Sequence, residues 1–138
     1  MMAFDQSQAQ QLLADVFAPW IQSLTLKCES VFDQGVEVRM PVDEQLSREG
    51  GTVCGQALMA LADSATVLAV CVANGEYRAM TTVSQSIDLL RPLSNEDAIA
   101  RATVTRLGRS MAFIRVDIRA ANSGKPVASA QLTYALIG

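Results

Sequence analysis

One acidic residue lies inside the most apolar segment of the chain. Residues 50–66 read GGTVCGQALMALADSAT, and Asp63 is the only charged residue between Gly50 and Ala73. An unpaired carboxylate is costly to bury, so Asp63 needs polar partners, and Ser64 and Thr66 are the candidates beside it. A carboxylate in such a place serves either as a general base or nucleophile, or as a hydrogen-bonded structural group. Both interpretations remain open at this point.

The composition excludes several other kinds of site. The chain has no histidine, which removes Ser-His and Cys-His nucleophile pairs and the usual zinc sites. Its three cysteines show no C-x-x-C spacing, and the N-terminus has no signal-peptide pattern. We therefore expect free thiols in a reducing, cytoplasmic compartment, with no metal and no cofactor. Asp63 also interrupts the apolar stretch 53–73, which argues against a membrane span.

Length and charge narrow the class of protein. A chain of 138 residues is long enough for one domain, predicted over residues 1–138. The net charge is −3, which argues against nucleic-acid binding. Residues 98–138 nevertheless contain six basic residues and one acidic residue, a net charge of +5. This excess indicates either an anionic partner or arginines on the solvent face of strands.

Hydrophobic periodicity predicts the elements that position Asp63. An N-terminal helix spans about 5–18, Pro19 ends it, and alternating stretches at 23–32 and 36–40 form a hairpin. A long helix from Gly55 to Ala73 is apolar on most sides and stops at Asn74-Gly75. The connections between the predicted strands are too short for parallel crossovers. The sheet is therefore expected to be antiparallel, and the fold class is α+β. The four remaining strands are predicted at Met80–Leu90, Ala98–Leu107, Met111–Ala120 and Val127–Ile137.

Four ordered blocks resemble a known family. They read GTVCGQALMALADSA, TTVSQSIDLLRP, RLGRSMAFIRVDI and GKPVASAQLTY, and they are similar to the PaaI-like acyl-CoA thioesterases. The family form of the first block is roughly G-x-x-H-G-G followed, after six residues, by Asp or Glu; Gly51, Gly55 and Asp63 occupy the matching positions. The resemblance implies a hotdog fold, in which an antiparallel sheet wraps a long central helix. It also implies hydrolysis of an acyl-CoA to the free acid and CoA.

The resemblance assigns roles to three residues. The backbone N–H of Gly55, at the helix N-terminus, polarises the thioester carbonyl, and Asp63 is the general base or nucleophile. Thr82 matches a position whose hydroxyl helps to hold the water; ordinary strand propensity also accounts for it. Gly55 and Asp63 lie about 12 Å apart along the helix, so the family's homodimer, in which two chains share a site, is implied. We further expect the dimer to pair into a tetramer.

Three residues depart from the family pattern around that site. Cys54 replaces the usual His, Gln56 replaces the second Gly, and Arg48 stands where many members have Asn. Gln56 could donate a second hydrogen bond to the oxyanion. Cys54 could be a nucleophile, but without a histidine as base a small packing residue beside the substrate is favoured. Arg48 either meets a negative charge on the acyl group or CoA, or points to water.

Further arginines are candidates for binding CoA. Arg106 and Arg109 flank Gly108 in a hairpin turn that resembles the family's nucleotide-contacting edge, and Arg91 precedes Pro92. A guanidinium suits phosphate because it donates two hydrogen bonds, although a solvent-facing role accounts for Arg106 and Arg109 equally well. The departures at 48, 54 and 56 leave one alternative function open, a non-catalytic acyl-CoA-binding or regulatory hotdog protein.

Overall fold

The computed structural model describes residues 3–138, and its central feature is one long helix packed on one antiparallel sheet. The six strands follow the spatial order β1-β2-β4-β5-β6-β3, and every neighbouring pair is antiparallel. The helices are α1 (Gln6–Asp15), α2 (Pro19–Gln22) and α3 (Gly55–Asn74). The strands are β1 (Lys27–Phe32), β2 (Gly35–Met40), β3 (Met80–Leu89), β4 (Ala98–Leu107), β5 (Met111–Ala120) and β6 (Pro126–Leu136).

The predicted core packing is confirmed. Ala98, Ala100 and Ala102 of β4 are all buried, and this row of small side chains lets α3 lie close to the sheet. The inward row of β5 is buried as the alternation predicts: Ala112, Ile114, Val116 and Ile118. A sheet wrapped around a long apolar helix is the α+β hotdog arrangement that the sequence predicts.

The residues on either side of α3 account for where the helix begins and ends. Cys54 precedes the helix in an extended conformation (φ −70°, ψ 150°), and no side chain caps the first turn. Gly75 ends the helix with φ 87°, a left-handed conformation that favours glycine, and its N–H donates to the carbonyls of Cys71 and Val72. By length and composition α3 could cross a membrane; 67% of its most apolar window is buried inside the protein, as in a core helix.

The N-terminal region differs from the prediction in two places. The helix α1 ends at Asp15, and Pro19 begins the separate one-turn helix α2 instead of ending α1, because proline is well suited to a first helical position. The first strand begins at Lys27 and not at residue 23, because Thr25 has φ 54° and leaves the extended conformation. Leu24 and Leu26 are nevertheless buried, as the alternation requires.

The two edge strands of the sheet, β1 and β3, differ in how far other groups cover their backbone. At the β1 edge, the Gln10 side chain accepts from the N–H of Cys28 and donates to the carbonyl of Leu26, and the Gln6 amide donates to the carbonyls of Cys28 and Glu29. These amides take the place of a neighbouring strand. The other edge, β3, is ten residues long, and most of its residues are exposed. An uncovered strand edge is available for pairing with another chain.

Candidate active site

Asp63 lies on the side of α3 that faces strands β3 and β6, and its side chain is half-buried. The Thr82 hydroxyl donates to Asp63 Oδ1 over 3.0 Å. The Tyr134 hydroxyl also donates to Oδ1, and it lies 3.1 Å from the Asp63 carbonyl oxygen. Neither partner suggested by the sequence bonds to this carboxylate within residues 3–138: the Thr66 hydroxyl donates to the carbonyl of Ala62, and no hydrogen bond joins Ser64 to Asp63. The carboxylate is therefore held by two strands, not by its own helix.

The pairing of β3 with β6 brings the two hydroxyls together. Thr82 and Tyr134 are direct cross-strand partners. The register then shifts between Thr82 and Ser84, so Val83 is the extra residue of a bulge. After the bulge the inward-facing residues become Gln85, whose amide donates to the Met59 carbonyl of α3, and Ile87. The bulge thus allows Thr82 and Gln85, three positions apart, to contact the same helix.

Tyr134 is the site residue that the sequence reasoning missed. It belongs to the inward row of β6, which also contains Ala128, Ala130 and Leu132, and it is only 2% exposed. A tyrosine in such a row is a detectable signal, because a buried hydroxyl needs a hydrogen-bond partner. Burial and the neighbouring Asp63 carboxylate raise the pKa of Tyr134, so its hydroxyl stays protonated and acts as a donor.

The N-terminus of α3 presents unpaired backbone donors. Within residues 3–138, neither the Gly55 nor the Gln56 N–H has a hydrogen-bond acceptor, whereas the N–H groups of Ala57 and Leu58 bond to the Cys54 carbonyl. Two free N–H groups at the positive end of a 20-residue helix favour a carbonyl oxygen that gains negative charge. The Gln56 side chain beside them is exposed, and Cys54 is half-buried.

The loop before α3 is fixed by backbone hydrogen bonds. The Arg48 N–H donates to the Thr52 carbonyl, and the Gly51 N–H donates to the Arg48 carbonyl, which closes a turn. Gly50 and Gly51 adopt φ 88° and 81° in this turn. The N–H of Val53 then bonds to the Leu93 carbonyl, beyond β3. The turn leaves the Arg48 side chain exposed at the same end of the molecule as Gly55.

Three arginines of the C-terminal region form salt bridges, and the four arginines predicted to bind CoA are a separate group. Arg101 and Arg119 form salt bridges with Glu37, and Arg115 forms one with Asp117. These three arginines therefore pair with carboxylates on the solvent face of the sheet, as one of the two interpretations of the C-terminal charge predicts. Across the part of the chain that the structure describes, the four candidate arginines form no salt bridge and are exposed: Arg48, Arg91, Arg106 and Arg109.

These four candidates lie at opposite ends of α3. Arg91 lies two positions beyond Leu89, the last residue of β3, whose side chain lies beside Gly55. Arg109 is at the other end, since its carbonyl accepts a hydrogen bond from Arg78, which follows the C-terminus of α3. Asp63 contacts Thr82, seven positions before Leu89 on β3. One chain therefore does not bring Gly55, Asp63 and all four arginines to one place.

The structure contains no cluster of three or more His, Cys, Asp or Glu side chains able to hold a metal ion within residues 3–138. Cys28 and Cys71 are buried free thiols, and burial raises both pKa values, that of Cys28 to about 11. The groups that this site offers for chemistry are the Asp63 carboxylate, held by two hydroxyls, and the free N–H groups at the start of α3.

Comparison with known proteins identifies a family for this chain. The Thioesterase superfamily model matches residues 50–127, more than half of the chain. A Thermoplasma acidophilum protein named "Putative esterase" is 25% identical over 97 residues, which are 70% of this chain and 73% of that protein. The crystal structure of a thioesterase from Haemophilus influenzae has 25% identity and a TM-score of 0.87, covering 98% of this chain and 92% of that one.

A second solved structure, which is one with coenzyme A, shares the fold. It is a hypothetical thioesterase protein with coenzyme A from Streptococcus pneumoniae, with 23% identity and a TM-score of 0.75. The alignment covers 82% of this chain and 86% of that chain.

Proposed function

Because this chain belongs to the Thioesterase superfamily, we propose that it hydrolyses an acyl-CoA thioester to the free acid and CoA, in the manner of the PaaI-like members. The observation that carries the proposal is the Asp63 carboxylate, which is half-buried and held at one oxygen by the hydroxyls of Thr82 and Tyr134. Within residues 3–138 its other oxygen has no donor, so that oxygen is available to a water or a substrate.

Asp63 supplies the base in this reaction. It takes a proton from water as the water oxygen attacks the thioester carbon, and the tetrahedral intermediate then expels the CoA thiolate, which recovers that proton. Thr82, whose hydroxyl is bonded to Asp63, also helps to hold the water, as its match to the family position implies. An alternative route uses Asp63 as the nucleophile: it displaces the thiolate to form an anhydride, which water then hydrolyses.

The carbonyl oxygen is stabilised at the N-terminus of α3. The free N–H of Gly55 donates to the oxygen as negative charge develops, and the helix dipole adds to the effect. Gln56 lies next in the chain with an exposed amide, which provides a second donor. Cys54 takes no part in the chemistry and packs at the edge of the substrate.

The working site requires two chains. Gly55 contacts Leu89 and Asp63 contacts Thr82, both on β3. If the uncovered β3 edge pairs antiparallel with its own copy around an axis near Gln85 and Ser86, Thr82 of one chain lies beside Leu89 of the partner subunit. That arrangement brings the partner subunit's Gly55 to Asp63. We propose a homodimer of this form, paired further into a tetramer.

The same symmetry gathers the free arginines around CoA. With the two α3 helices antiparallel, Arg48 and Arg91 of one chain lie at the same end as Arg106 and Arg109 of the partner subunit. Four unpaired guanidinium groups there suit the phosphates of CoA. The S. pneumoniae neighbour, described with coenzyme A, supports this choice of ligand. A cytoplasmic location, where acyl-CoA and reduced thiols occur together, fits the proposal.

The deciding experiment is Asp63→Asn, tested on a panel of acyl-CoA substrates by single-turnover hydrolysis. The amide keeps the shape and can still accept from both hydroxyls, so we expect an unchanged dimer and a melting temperature close to the parent's. The rate of hydrolysis should fall at least ~100-fold, the lower range for loss of a general base. Asp33→Asn, in an exposed turn, is the matched control and should be fully active.

The departures at Arg48, Cys54 and Gln56 favour a second candidate, an acyl-CoA-binding or regulatory protein without catalysis. It predicts measurable binding of acyl-CoA by calorimetry and no release of thiol by the parent protein on any substrate of the panel. An Asp63→Asn variant that hydrolyses at the parent rate would also end the catalytic assignment.

A further inference from the structure

We propose that Tyr134 is a positioning residue that occupies Oδ1 of Asp63 and thereby assigns the reaction to Oδ2. This inference rests on the proposed thioesterase function and extends it from a residue to one atom. Nothing in the family pattern of the first sequence block points to Tyr134, which lies 71 positions beyond Asp63 in the chain.

The first evidence is the convergence of donors on one oxygen. Thr82 and Tyr134 are direct partners across β3 and β6, and both hydroxyls donate to Oδ1. Among the residues that the structure describes, no group donates to Oδ2, and this atom is not fully buried. One oxygen is therefore saturated from inside the chain, and the other is open to a water or a thioester.

The second evidence is the environment of the phenol. Tyr134 is 2% exposed and lies in the inward row of β6, so its ring is fixed by the core and its hydroxyl has little freedom. The hydroxyl carries one proton, and it lies nearer to Oδ1 than to the Asp63 carbonyl at 3.1 Å. Burial keeps that proton in place, so Tyr134 donates to the carboxylate and does not exchange protons with the substrate.

The two donors orient the carboxylate for the reaction. They hold its plane, so Oδ2 keeps one direction relative to the incoming carbonyl. In the base-catalysed step the water proton moves to Oδ2 and then to the departing sulfur, while Oδ1 keeps both of its donors throughout.

Tyr134→Phe separates this role from simple packing, because it removes one oxygen and keeps the ring. We expect kcat to fall ~10–100-fold, the range for losing a hydrogen bond to a charged group, with KM within about threefold of the parent. A packing role would lower the melting temperature and leave kcat of the folded variant at the parent value.

The companion variants are Thr82→Val, which removes the second donor, and the double variant, which should be slower than either. Tyr77→Phe removes an exposed phenol hydroxyl and should match the parent. If Asp63→Asn is inactive while Tyr134→Phe keeps the parent kcat, the inference is overturned and the thioesterase function stands. If Asp63→Asn is active, both fail. Should Tyr134→Phe not fold, an unchanged kcat in Thr82→Val would overturn the inference equally.

Discussion

Leu89 covers Gly55: a β-carbon built on Gly55 would lie 3.0 Å from Cδ1 of Leu89. The contact involves the far end of a flexible side chain that is 54% exposed, so Leu89 can move aside without a shift of the backbone. Glycine is therefore not required here by the fold of the single chain. The free N–H of Gly55 and the absence of a side chain there are the features that a substitution can test.

Gly55→Ala and Gly55→Pro separate these two features. Alanine adds a methyl group and keeps the N–H, whereas proline removes the N–H at the first helical position, where proline is well tolerated. The preceding Cys54 has φ −70° and ψ 150°, the conformation that a following proline requires. We expect kcat of the proline variant to be ~100-fold or more below that of the alanine variant, the cost of losing one oxyanion donor.

Circular dichroism and thermal melting check that α3 is intact in both variants. Equal rates for Gly55→Ala and Gly55→Pro would show that the Gly55 N–H does not stabilise the oxyanion. In that case the Gln56 amide becomes the remaining donor at this end of the helix, and Gln56→Ala tests it.

Cross-linking tests the pairing of β3 with its own copy. An axis near Gln85 and Ser86 places the two copies of residue 86 close enough for a disulfide, which needs Cα atoms about 4.4–6.8 Å apart. We expect Ser86→Cys, in a Cys54→Ser background, to give a covalent dimer on mild oxidation and light scattering to show a dimer or tetramer before oxidation. Cys28 and Cys71 are buried and should not interfere.

Lys27→Cys is the control, since residue 27 is exposed on β1, at the edge of the sheet opposite β3. A monomer of about 15 kDa in light scattering, or equal cross-linking of Ser86→Cys and Lys27→Cys, would contradict the proposed pairing and the two-chain site with it.

The fold was predictable because its strongest signals are periodic. The apolar α3 helix and the alternation of Ala112, Ile114, Val116 and Ile118 report burial directly, and both are confirmed. The errors fall where short-range geometry decides. Pro19 begins a helix instead of ending one, and the left-handed Thr25 delays the start of β1.

The site was only partly predictable for a different reason. Asp63 and Gly55 stand out within one sequence block, but the partners of Asp63 come from β3 and β6, and their meeting depends on the register of that strand pair. The bulge at Val83 places Thr82 and Gln85 on the same face of β3, although they are three positions apart. An alternating pattern of apolar and polar residues does not reveal such a bulge. Sequence reasoning therefore reached the carboxylate and missed Tyr134.

The cysteines are expected to differ in reactivity. Cys28 and Cys71 are buried and burial raises their pKa values, whereas Cys54 is half-buried at the start of α3. A thiol reagent should modify one cysteine per native chain rapidly and all three after unfolding. Cys54→Ser should lose the rapid phase, keep kcat and change KM only modestly. A variant that stays folded and loses turnover would show that Cys54 acts in the chemistry.

Glu37 links stability to pH through the outer face of the sheet. Arg119 donates to both carboxylate oxygens over 3.0 and 3.2 Å, and Arg101 adds a third hydrogen bond of 3.2 Å. The Arg119 hydrogen bond, and then Arg101, hold the pKa of Glu37 below its ordinary value. Since the folded pKa is lower than the unfolded one, this contribution is complete above the unfolded pKa of about 4.3 and disappears as the pH falls through the folded value.

We therefore expect Glu37→Gln to be less stable than the parent at pH 7 by about 1 kcal/mol, since both arginines are 40–50% exposed and solvent screens the pairs. For a domain of this size that is a loss of about 3 °C in melting temperature. The difference should shrink as the pH falls below about 4, where Glu37 becomes protonated in the parent. Asp117→Asn, which breaks the exposed pair with Arg115, is the control and should change the melting temperature by less than about 1 °C. A Glu37→Gln difference of equal size at pH 3 and pH 7 would show that packing, and not the charge of Glu37, stabilises this face.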